Sequence, residues 1–207
     1  MGVAMRGFGL LICSLAFTVG IHAQVPEKPA DKALPIPTSP TSGARLEFLD
    51  EVSYYEQRFE RLADAIPAEK YNWRPVEGVR TIGEVYVHVV MANYNFAKML
   101  GTPYPPGLDP KTVLASQYDK TKVLQELKDS FAHFRNAILV IKDSDLDKSI
   151  KAPRGETTVR GSFFLISGHF GEHLGQSVAY ARSVGIVPPW TEERQRQEPE
   201  KPEKSKL

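Results

Sequence analysis

Apolar residues recur at helical spacing in four separate stretches of the chain. Over about 44–66, Phe48, Val52, Tyr55, Phe59, Leu62 and Ile66 fall on one stripe, and Pro67 marks its end because a proline ring cannot continue a helix. The second stretch, about 82–100, runs through Val85, His88, Val89, Ala92 and Phe96 before Gly101-Thr102-Pro103. It opens on Thr81-Ile82-Gly83-Glu84, a capping-box pattern that puts Thr81 at the N-cap. In the third, about 119–142, Leu124, Leu127, Phe131, Phe134, Ile138 and Ile141 share a face. The fourth, about 159–185, ends at Gly185 with Pro188-Pro189 beyond it. No stretch alternates well enough to argue for a sheet. The pattern therefore predicts an all-α fold, a four-helix bundle over 44–189.

The fourth stripe changes character along its length. Ser162, Leu165, Ile166, His169, His173, Gln176 and Tyr180 lie within a narrow arc, and its C-terminal half is polar. Polar groups turned towards a core need hydrogen-bond partners or a metal ion. His169 and His173, spaced i,i+4, place both imidazoles on one face about one turn apart, from where one ion can take both nitrogens. His88 belongs to the apolar pattern of the second helix, between Val85, Val89 and Ala92. Taken singly, the pair reads as surface or mutually satisfied histidines, and His88 as a satisfied core residue. Taken together, His88, His169 and His173 are expected to form a three-histidine site for a divalent ion, Zn²⁺ first, with Ni²⁺ and others also suited to imidazole. Glu172 and Gln176 are candidate catalytic residues that support the ion or handle protons. Asn95, two turns beyond His88, is a similar candidate with core packing as its other reading. His133 falls off the core stripe of the third helix and is expected at the surface without a role.

Composition narrows the surroundings. The 207 residues suffice for one domain with tails, and 42% hydrophobic residues can build a core. Lys and Arg total 26 against 25 Asp and Glu, which leaves no basic excess for a nucleic-acid surface. Residues 1–23 read as a signal peptide: Arg6, an apolar run over Gly7–Gly20, and Ala23 before the cut. An uncleaved anchor is the other reading, since Ile21 is not small. Cys13 lies early in that run behind the bulky Ile12, which argues against a lipoprotein, and Met1-Gly2 is not followed by a myristoylation pattern. Cleavage removes the sole cysteine, so a metal must be held by His, Asp or Glu. Residues 24–43 read as a proline-rich linker, and 190–207 as a charged, disordered tail. The expected location is exported, periplasmic or secreted. After signal cleavage no membrane span is expected, and a homodimer through bundle faces is compatible with the pattern.

Several ordered motifs carry a resemblance. Trp73-Arg74-Pro75, then Arg80-Thr81-Ile82-Gly83-Glu84 and His88, are followed by Arg154–Arg160, the run from His169 to Gln176, and Arg182–Gly185 with Pro188-Pro189. This set resembles the DinB-like superfamily, the damage-inducible bundles related to bacillithiol S-transferases and mycothiol-dependent maleylpyruvate isomerases, across about 44–189. The resemblance implies His88, His169 and His173 as ligands, with a coordination position open to water or substrate. Leu174 departs from the Arg usual beside Gly175-Gln176, and export would separate the chain from cytosolic thiols. The expected function is a metal-dependent transferase or hydrolase acting on a small molecule. The alternatives are a non-catalytic metal- or ligand-binding bundle, and an inverted zincin reading of His169–His173 with Glu172 as base and a downstream carboxylate as third ligand.

Overall fold

In a computed structural model, which describes residues 43–197, Ala44 begins the first helix directly behind Gly43 in a left-handed conformation (φ 85°). This helix, α1 (Ala44–Ala65), ends where Ile66 turns extended ahead of Pro67. The second, α2 (Ile82–Met99), starts with the anticipated capping box: Thr81 Oγ1 accepts from Glu84 N at 3.2 Å and Glu84 Oε2 from Thr81 N at 2.6 Å. A short α3 (Pro110–Ala115) leads to α4 (Lys120–Val140), capped by Asp119. The chain then makes a hairpin, β1 (Ser149–Ala152) and β2 (Gly155–Thr158), before α5 (Val159–Ser183), capped by Thr158, and α6 (Pro189–Gln197).

The long helices close a ring. α1 packs on α4, α4 on α2, α2 on α5 and α5 back on α1. Phe170 of α5 stands at its centre, its ring against Phe59, Phe96, Phe131 and Phe134 from the other three helices. Phe48 stacks on Phe163 at 4.1 Å and ties α1 to α5 near the hairpin. α2 is buried on nearly every side. Within Ile82–Lys98 only Glu84, His88, Met91, Asn95 and Lys98 escape full burial, and they form one stripe.

Two expectations need correction. The hairpin is antiparallel, pairing Ser149 with Thr158 and Ala152 with Gly155, and its four-residue strands are too short to display alternation. The segment read as a disordered tail, 190–207, begins as helix α6, because Trp190 packs over the Arg58 guanidinium at 4.3 Å and Glu193 pairs with Arg61. The signal segment 1–23, nearly all of the linker 24–43, and 198–207 lie outside the described residues. No helix among the described residues is long and apolar enough to cross a membrane.

Candidate metal centre

Because α2 and α5 are neighbours in the ring, residues on their facing edges meet. His88 stands on the less buried stripe of α2, not on its most apolar face as the sequence pattern implied. His169 is half-buried and His173 buried on α5. The three rings converge, with centroids 4.4 Å apart for His169–His173, 4.5 Å for His88–His173 and 5.2 Å for His88–His169. One nitrogen from each lies within 4.8 Å of the others, a group that could hold a metal ion. Ile166 and Phe170, adjoining on α5, point into the core and fix the helix so that this edge stays turned to α2.

Tautomer and charge both favour coordination. His173 Nδ1 lies 3.0 Å from Gln176 Oε1, and Gln176 Nε2 donates to Tyr180 Oη at 3.1 Å. An amide oxygen can only accept, so His173 carries its proton on Nδ1 and keeps Nε2 free as a ligand. His88 Nε2 and His169 Nε2 are 3.2 Å apart. Two imidazoles on one tetrahedral zinc, with bonds of about 2.0–2.1 Å, have nitrogens about 3.3 Å apart, so the separation of this pair matches that of two ligands on one ion. Burial, followed by the charges of Arg80 and His173, pushes the His88 imidazolium down to about 4. Burial, then His173, His88 and Arg80, pushes His169 down to about 3. Both rings are therefore neutral at pH 7, the form that binds a metal.

The other candidate residues separate. Gln176 joins the cluster through His173. Glu172 is exposed and its carboxylate stands outside the cluster. The inverted zincin reading needs acidic ligands, yet His88 completes the group and no carboxylate among the described residues joins it. Asn95 is exposed and accepts from Tyr104 Oη at 2.5 Å, away from the three rings. His133 is not a free surface residue: it is half-buried against the Tyr94 ring, with Nε2 shut away from solvent and without a partner among the described residues. Leu174 is buried in the apolar core, and it also lines a groove with Tyr54 and Trp190. An apolar side chain suits that position better than an arginine.

Arg80 belongs to the Arg80–Glu84 motif, where the sequence pattern assigns it no part. In the fold it lines a cleft of about 440 Å³ together with Arg74, Glu84, His88, Leu114 and Gln117. The signal was present in the spacing: Arg80 directly precedes the N-cap of the helix that carries His88 two turns on.

A family model for the DinB superfamily matches residues 51–177, which include all three histidines. Among solved structures, a DinB-like protein from Bacillus cereus ATCC 10987 superposes with a TM-score of 0.60 at 18% identity, covering 69% of this chain and 93% of that one. A DinB-like protein from Bacillus subtilis gives 0.55 at 20% identity, covering 68% and 93%. No curated protein matches the sequence. The structural likenesses establish the fold, the helical ring agrees with them, and the family match spans more than half of the residues: the chain belongs to the DinB superfamily.

Proposed function

We propose that His88, His169 and His173 hold one divalent ion, Zn²⁺ before Ni²⁺ or another, and that the chain is an exported metal-dependent transferase or hydrolase acting on a small molecule. The observation that carries this reading is the 3.2 Å approach of His88 Nε2 to His169 Nε2, beside a third imidazole whose Nε2 is left free by Gln176. When bound, such an ion supplies Lewis acidity to a donor atom of the substrate. The chain's own residues prepare the site. Burial keeps His88 and His169 neutral, Gln176 fixes the His173 ring, and the Phe96 ring, edge-on to His169 at 5.2 Å, limits water on the core side. His88 opens to the cleft through which a small molecule reaches the ligands. Glu172 is the proposed catalytic carboxylate; it is exposed on α5, one residue before His173.

Elemental analysis of the purified protein tests the ligand set. About one ion per chain, lost when His88, His169 and His173 are all replaced by Ala, is the expected result. Absence of metal from the wild type overturns the reading. Hydrolase and thiol-transfer assays on the metallated protein divide an enzyme from a binding protein. N-terminal sequencing of protein recovered outside the cytoplasm tests export, with Gln24 expected as the first residue.

A further inference from the structure

We propose that the cleft beside His88 is an oxyanion site, in which Arg80 receives a carboxylate or phosphate group of the small molecule that reaches the ion. This assignment rests on the metal reading above. Its starting point is how the cleft's charges are used. Glu84, the acid that lines it, is already engaged: Oε2 accepts from Thr81 N at 2.6 Å and lies 3.7 Å from Arg74. Arg74 is shared between Glu84 and Glu77. Arg80 is exposed, has no ion-pair or hydrogen-bond partner among the described residues, and lines the same cleft as His88.

With Arg74 taken up by Glu84 and Glu77, Arg80 is the unpaired charge of the described lining, and a divalent ion on the three imidazoles would add to it. No acid among the described lining residues is free to neutralise that charge; an anionic ligand would. A guanidinium fork matches carboxylate and phosphate oxygens two at a time.

The backbone beneath Arg80 is held in place while its side chain is free. Thr81 is buried and capped, Ile82 N donates to Trp73 O at 3.0 Å, and Gly83 N to Tyr71 O at 2.9 Å, closing the loop that carries both arginines. The arginine therefore stands beside the ligands without needing the loop to order around a ligand first. The volume, about 440 Å³, suits a molecule of metabolite size. Leu114 and Met91 add an apolar surface to the same wall, so the ligand class is a small molecule with one anionic group and a short apolar body.

Titration calorimetry on the full-length zinc-loaded protein, freed of excess zinc, tests this with succinate and inorganic phosphate as probes and succinamide as the uncharged match. At least one anion is expected to bind the wild type, about tenfold or more weakly to Arg80→Gln, and at intermediate strength to Arg80→Lys. The anion that responds to Arg80 identifies the group as carboxylate or phosphate. Arg154→Gln, in the turn between β1 and β2 and outside the cleft lining, is expected to bind like the wild type. Equal affinity in wild type and Arg80→Gln, equal binding of succinamide and succinate, equal loss in Arg154→Gln, or no anion binding at all overturns the proposal. Zinc content is measured before any anion is added and is expected to be the same in wild type and Arg80→Gln. A wild type that retains no zinc at that stage overturns the metal reading instead, so the two failures are told apart.

Discussion

The amide of Gln176 does for His173 what no partner among the described residues does for His169. His173 Nδ1 is held at 3.0 Å by an acceptor that is itself anchored to Tyr180, whereas His169 Nδ1 is buried without a partner among the described residues, its ring packed against Phe96. Groups that orient a ligating imidazole typically contribute about 10–100-fold to metal affinity. Gln176→Leu preserves bulk but removes the acceptor, and is expected to weaken zinc binding by about that range in competition with a chromophoric chelator, while Gln176→Glu retains it. Unchanged affinity in the Leu variant would assign the orientation of His173 to packing alone. His133 makes a different prediction. Burial holds its pKa below the ordinary value, with the Pro103 carbonyl acting in the opposite sense. The unfolded chain takes up this proton near pH 6.5 while the folded protein resists it, so the fold binds fewer protons and loses stability as pH falls below about 6.5. In metal-free protein, the urea midpoint of His133→Gln should therefore drop less between pH 7.5 and pH 5 than that of the wild type. Identical slopes would remove His133 from the acid response.

At the scale of elements, α2 shows how one small residue shapes the cleft. A Cβ on Gly83 would stand 1.7 Å from the Gln117 carbonyl oxygen, a backbone atom that cannot step aside cheaply. Gly83 therefore lets the segment between α3 and α4 close onto the start of α2, and that segment supplies the Gln117 side of the cleft. Gly83→Ala is expected to destabilise the protein by about 3 kcal/mol, measured by urea unfolding, because the overlap forces backbone movement. A loss below about 0.5 kcal/mol would show that the contact relaxes freely. The caps of α2 and the stop at Gly185 were legible as local signals, since Thr81, Glu84 and Gly185 act within one turn of their own chain. The hairpin and α6 were not. Four-residue strands carry no period, and α6 is held by Arg58 and Arg61 on α1, more than a hundred residues away.

For the whole molecule, the ring order α1–α4–α2–α5 decides that the metal group bridges adjacent helices. An ion there would tie α2 to α5, whose direct packing is the least extensive of the four contacts that close the ring. Zinc at a hundred times its dissociation constant is expected to stabilise the fold by about 2.7 kcal/mol, a rise of roughly 5–10 °C in Tm. EDTA should reverse the rise, and the triple histidine-to-alanine variant should not show it; scanning calorimetry checks both, and a Tm indifferent to zinc would argue against the bridge. The sequence alone determined the long helices, because apolar period and caps are local properties, and it identified the i,i+4 pair His169–His173, because one helix turn fixes their spacing. That His88 is their partner was implied by pattern and resemblance, but only packing places it there, on the less buried stripe of α2 and not among its apolar residues. Tertiary structure alone decided the place of Arg80 and the burial of His133, since each depends on distances between side chains that periodicity does not specify, whereas Gln176 lies one turn from His173 on the same helix and was legible there.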